Sequence, residues 1–143
     1  MRTLSLQERV DIVRYRMQNA LDTIEEVGIH KSHGFYNTAV NRIYYACYYA
    51  ASALLIAHGI EVKSHDGVRL KIGQHFVLNG ILTPEQGRFY SRAFSKRSTG
   101  DYEDFITHNE ETVDDLLPDA ESFISTIQAL ISSWLEENDR PMK

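Results

Sequence analysis

The sequence predicts an all-α protein, an up-and-down antiparallel bundle of four main helices plus one or two short ones. Three observations lead there. Apolar residues recur at three and four positions over long stretches, which is the helical period. Capping signals and glycine stops punctuate those stretches at short intervals. No segment alternates apolar and polar residues between turn signals, so no sheet is expected. At 143 residues with 43% hydrophobic and 24% charged side chains, the chain has the size and composition of one globular domain. That domain is expected over residues 1–137, with 138–143 as a short C-terminal tail.

The elements follow in order. Ser5-Leu6-Gln7-Glu8 reads as a capping box, the serine accepting from the Glu8 amide. Behind it Leu6, Val10, Val13, Met17, Ala20, Leu21, Ile24 and Val27 form one apolar stripe, with Gly28 as the expected stop and 30–34 as a turn. A second helix is expected from about Phe35 to His58, ended by Gly59. Val40, Tyr44, Cys47, Tyr48, Ala51 and Leu55 fall on one stripe; Tyr45, Tyr49 and Ile56 lie roughly opposite. A helix apolar on most of its circumference is buried on most of it, so this one is central to the bundle or meets another subunit. Tyr45 and Tyr49 are the expected interface.

A shorter helix is expected over about Gly67 to Leu78, with Val68, Ile72 and Phe76 on one face and Asn79-Gly80 as its end. Thr83-Pro84-Glu85-Gln86 opens the next: threonine as cap, proline at the first helical position, glutamine closing the box. It is expected to reach Ser98, with Gly100 as terminator and Asp101–Phe105 as connector. Thr107-x-x-Glu110 reads as a third capping box. From Val113 to Leu135 the apolar residues keep helical period, and Pro118 inside that run is expected to kink or divide the helix.

Composition also limits function. A single cysteine leaves no internal disulfide framework and no cysteine-based zinc cage, and a reducing, cytoplasmic location is the default. No signal-peptide pattern opens the chain and no run is apolar enough to suggest a membrane span. No Gly-rich phosphate loop or nucleophile elbow is present, the six histidines make no metal-ligand spacing, and no cofactor is expected. Cys47, on an apolar helix, is expected to be buried and inert.

The net charge of −5 is an average over opposed blocks. Residues 63–97 carry +5 and residues 101–137 carry −11, the latter with no lysine or arginine. A basic block keeps a nucleic-acid or nucleotide partner open despite the acidic total.

Three motifs stand in order along the chain: Asn41-Arg42-Ile43-Tyr44-Tyr45-Ala46 on the second helix, Lys63-Ser64-His65 before the third, and Arg97-Ser98-Thr99-Gly100-Asp101-Tyr102 at a helix junction. Together they resemble the corresponding segments of HEPN-domain proteins, and the likeness covers nearly the whole chain. The resemblance implies an all-α bundle, usually a homodimer. It also implies partnership with a small nucleotidyltransferase in toxin–antitoxin pairs, and in several branches metal-independent ribonuclease activity. The ribonuclease signature is an arginine followed after four to six residues by a histidine. Here Tyr102, Glu103 and Asp104 occupy the positions where that histidine would fall; His108 comes too late. Arg69 and His75 have the spacing, but on the wrong helix.

The expected site is therefore a polar pocket around Arg97, Asp101 and Tyr102 that binds phosphate, a nucleotide or RNA. The alternative is a brace, with Arg97 complementing a helix end and Asp101 pairing with it. Arg88, Arg92 and Lys96 form a basic stripe beside aromatic residues. Arg92 and Lys96 are counted with the site, although a stripe solvated or paired with the acidic last helix is the favoured reading. His65 is expected to act locally at its helix start. The resulting expectation is an RNA- or nucleotide-binding regulatory subunit of a HEPN–nucleotidyltransferase module without the ribonuclease signature. The alternatives are a ribonuclease toxin using Arg97 with Asp101 or His108, and a plain dimeric scaffold.

Overall fold

The computed structural model describes residues 3–102 and 107–138, except for the side chains of residues 98–102. Among these residues the chain is helical with no strand. The helices are α1 (Leu6–Ser32), α2 (Tyr36–Ala57), α3 (His65–Ile72), continued by a π-helical turn over Gly73–Val77, α4 (Pro84–Tyr102) and α5 (Glu110–Asn138). The four long helices and one short one are the bundle that the periodicity predicts.

Helix α2 is the axis of the molecule. Its alanines, Ile43, Leu54 and Leu55 are all at most 2% exposed, and it packs against α1, α3, α4 and α5. The small side chains let neighbouring backbones approach closely, while each large one contributes about 1.5–3 kcal/mol of burial. On α5, Val113, Leu116, Ala120, Phe123, Ile127 and Ile131 close the core from the other side.

The connections are built on one device. Gly34, Gly59 and Gly80 have φ near +75°, the left-handed conformation that costs a Cβ-bearing residue about 1–2 kcal/mol. After each, the chain turns back on a Schellman pair: Phe35 N–H to His30 O with Gly34 N–H to Lys31 O, Ile60 to Leu55 with Gly59 to Ile56, and Ile81 to Phe76 with Gly80 to Val77. The Ser5–Glu8 and Thr83–Gln86 capping boxes both form, with all four hydrogen bonds between 2.9 and 3.1 Å.

Several boundaries differ from expectation. Gly28 does not stop α1, which continues to Ser32. A glycine inside a helix costs about 1 kcal/mol, and the packing of Val27 on α2 outweighs that. Gly100 likewise lies within α4. Helix α3 opens at His65, because Ser64 Oγ accepts from Gly67 N–H at 2.9 Å and so sets the start earlier. The Thr107 box does not form. Asn109 caps α5 instead, its Oδ1 accepting from Thr112 N–H at 3.0 Å, since asparagine satisfies that amide as well as threonine does. Pro118 does not divide α5. It faces solvent, so the carbonyl that its missing N–H leaves without a partner lies on the side open to water and not in the core. Residues 139–143 of the expected tail lie outside the described residues.

Candidate phosphate-binding site at the Arg97 corner

Arg97 sits near the end of α4 and is only 9% exposed. Its guanidinium lies over two rings of α2, 5.3 Å from the centroid of Tyr44 and 5.4 Å from that of Tyr45, and Nη2 donates to Tyr45 Oη at 3.0 Å. The i, i+1 tyrosine pair on α2 thus forms a platform for a cation from another helix. Asp101 and Tyr102 follow in the last turn of α4; their side chains lie outside the described residues.

Two residues outside the expected site join this corner. Arg42 lies 5.0 Å from the same Tyr45 ring and donates twice to Asn41 Oδ1, at 3.1 and 2.7 Å. It is half-buried and forms no ion pair among the described residues. His65, the first residue of α3, shares a 2.8 Å hydrogen bond between Nδ1 and Tyr44 Oη and stacks on Tyr48 with centroids 4.4 Å apart. Burial, and then the positive charge of Arg97, lower its pKa, so the imidazole is neutral near pH 7. Burial raises the pKa of Tyr44 to about 12, so its hydroxyl keeps its proton. Whichever of the two donates in the Tyr44–His65 bond sets the tautomer: Nε2 is left protonated or free to accept. Arg42 and His65 are second and last in the Asn41–Ala46 and Lys63–His65 motifs, so the signal was present in the sequence. What it lacked was any indication that both meet Arg97.

The other expected members lie elsewhere. Arg92 donates to Asp119 of α5 at 3.0 Å and lies over Phe89. With Lys96, it lines a cleft toward α5 together with Thr112, Asp115 and Leu116. The structure does not bring these two side chains to the rings around Arg97; for Arg92, pairing with the acidic helix is the reading that holds. His108 folds back on α4, its ring Nε2 donating to Lys96 O at 3.0 Å and its N–H to Asn37 Oδ1 at 2.6 Å. Tyr45 and Tyr49 are half-buried, with ring centroids 6.2 Å apart. Cys47 is completely buried, and burial pushes its thiol pKa up, so it is unreactive. Among the described residues no group of three His, Cys, Asp or Glu side chains is placed to hold a metal ion, and no helix is long and apolar enough to cross a membrane.

Fold and corner together define a class: an all-α bundle in which two arginines and a neutral histidine from three helices gather on the tyrosines of the central one. The model of the HEPN domain matches residues 13–130, which includes all these residues, and the chain belongs to the HEPN family. It is 36% identical over 126 residues to a UPF0332 protein of Thermotoga maritima, covering 88% of this chain and 96% of that one. It is also similar to two proteins of Methanocaldococcus jannaschii. One, named "Putative toxin MJ0142", is 34% identical over 73% of this chain and 74% of its own. The other, "Putative toxin MJ0605", is 31% identical over 70% and 74%.

Proposed function

We propose that the chain is the toxin-like, regulatory or interaction subunit of a two-gene HEPN–nucleotidyltransferase module, and that it binds RNA or a nucleotide by its phosphate at the Arg42–Tyr45–Arg97 corner. One observation carries this reading: two guanidiniums share the Tyr45 ring, and Arg42 is partly accessible there with no ion pair among the described residues. Arginine's planar fork suits phosphate oxygens, and the ring beside it suits a base. The relatives named as toxins support the toxin-like part. The half-buried Tyr45/Tyr49 face supports a homodimer in which a second copy packs over Tyr49 and leaves the Tyr45 ring beside Arg42 to the ligand.

Fluorescence anisotropy with single-stranded RNA tests the site. Binding should weaken as salt rises, and Arg42→Ala should lower affinity about tenfold, the factor one charge-assisted contact supplies. Equal affinity in wild type and Arg42→Ala would overturn it. Co-expression with a nucleotidyltransferase encoded beside the gene tests the partnership through co-purification.

A second reading, a metal-independent ribonuclease, is favoured by one arrangement: His65 hydrogen-bonds to Tyr44, whose ring also carries the Arg97 guanidinium. His65 could take the proton of a ribose 2′-hydroxyl as that oxygen attacks phosphorus, while the 5′-oxygen leaves with a proton from an acid. Arg97 would offset charge building on the phosphate. RNA cleavage that survives both His65→Ala and Arg97→Ala would rule out this assignment.

A further inference from the structure

On the other side of Tyr48, the start of α1, the C-terminal half of α2 and the loop leading to α3 enclose a cavity of about 390 Å³. That is within the usual size range for small-molecule sites. Its wall has two characters. Tyr48, Leu55, Ile60 and Val68 supply an aromatic and aliphatic surface, whereas Arg9, Arg16 and Lys63 supply charge. Among the described residues Glu61 is the only carboxylate in the lining.

The two arginines are held in place. Arg16 Nη1 donates at 3.0 Å to Ser52 Oγ, a hydroxyl on α2 that is 8% exposed. Arg9 donates to the carbonyls of Ile56 and Ala57, which end α2, and its guanidinium lies 5.8 Å from the centroid of Trp134. None of Arg9, Arg16 and Lys63 forms an ion pair among the described residues.

Bracing accounts for part of this. Arg9 complements the C-terminus of α2, and Arg16 ties α1 to α2. A guanidinium has five N–H donors, however, and these contacts use two on Arg9 and one on Arg16. Lys63 braces nothing among the described residues. Three like charges around one half-enclosed, largely apolar space repel each other, a cost that an anion entering the space would offset.

The geometry points to a second ligand site in this cavity, for a phosphate monoester carried on an aromatic or heterocyclic body. The phosphate would take Arg16 and Lys63, with Arg9 adding charge, and the ring would lie along Tyr48. A doubly charged monoester suits three cations against one carboxylate better than a singly charged diester does. The volume holds one ring and one phosphate, not successive nucleotides. The site shares no cation with the Arg97 corner and stands or falls apart from the reading given for it.

Trp134, the one tryptophan in the chain, touches Arg9 and gives the readout. The purified full-length chain would be titrated with phenyl phosphate, inorganic phosphate and phenol, following Trp134 emission and calorimetric heat. Phenyl phosphate should saturate, binding about tenfold tighter than inorganic phosphate, the factor a single stacked ring contributes. Lys63→Ala and Arg16→Gln should each weaken the binding read at Trp134 about tenfold, and Arg92→Ala, which removes a guanidinium paired with Asp119 away from the cavity, should leave it unchanged. If Arg16→Gln fails to fold, Lys63→Ala decides, because that exposed side chain ties no other among the described residues. No saturation by phenyl phosphate would overturn the proposal. So would binding that Arg42→Ala abolishes while Lys63→Ala does not. A single-stranded oligonucleotide binding through Lys63 where phenyl phosphate fails would overturn it in favour of RNA.

Discussion

At the residue scale, Arg97 and His65 are coupled through tyrosines. A 9%-exposed guanidinium against two rings loses most of its hydration, and ring faces plus the Tyr45 hydroxyl replace part of it. Arg97→Met, which keeps the bulk and removes the charge, should destabilise the chain by about 2 kcal/mol, the worth of a desolvated cation–π contact, as read from urea unfolding. His65 carries a pH dependence whose sign follows from its environment. Its pKa is lowered on folding, so the unfolded chain binds the proton more readily. The stability this contributes is complete above the unfolded value of about 6.5 and is lost as pH falls through the lower folded value. His58 is lowered too, by burial and then Arg9, and acts in the same direction. The melting temperature should therefore drop below about pH 6.5, and His65→Phe should make the drop shallower. An unchanged slope would mean that His65 is not desolvated as its contacts imply.

At the element scale, the glycines separate into two kinds that the sequence does not distinguish. Gly59 has φ +73° and closes the Schellman turn after α2; Gly28 is helical, with nothing within 4 Å of an added Cβ. Gly59→Ala should cost about 1–2 kcal/mol, and Gly28→Ala should stabilise by about 0.5–1 kcal/mol, in the same thermal assay. The two signs were not legible in advance, because Gly28 and Gly59 both follow an apolar stripe. The difference is whether packing continues beyond the glycine: Val27 and the long contact of α1 with α2 hold the helix through Gly28 to Ser32. The same logic explains Pro118. The period of α5 was legible on both sides of it, and its continuity depends on Leu116 and Ala120 being buried while Pro118 faces water. Capping was legible where side chain and spacing left one solution, as at Ser5 and Thr83. It was not where Thr107 and Asn109 competed two residues apart.

At the scale of the whole molecule, the acidic block pairs with cations from two helices, of which only Arg92 belongs to the basic block. Asp114 and Glu110 of α5 meet Lys31 of α1, and Asp119 meets Arg92 of α4. The Arg92–Asp119 pair is exposed, so Arg92→Ala should change stability by less than about 1 kcal/mol. Arg42, Arg9, Arg16 and Lys63 remain outside these pairs, and both proposed ligand sites use them. The half-buried Tyr45/Tyr49 face gives a further test. Light scattering should report a dimer that Tyr49→Glu disrupts, since a charge on a covered aromatic face loses its hydration.

The sequence by itself determined the helical class, the stops at Gly59 and Gly80 but not those expected at Gly28 and Gly100, the family, and the choice of Arg97 as a candidate. Each of these rests on local period, local caps or short motifs, which are properties of neighbouring residues. Only the tertiary structure decided that Arg42 and His65 share the tyrosines that hold Arg97, that Arg92 turns to α5, and that Arg9, Arg16 and Lys63 surround a cavity beyond Tyr48. Those groupings join residues 16 to 63, or 42 to 97, across helices. Which side chains meet there is set by the rotation of each helix about its axis and by the volumes packed against α2.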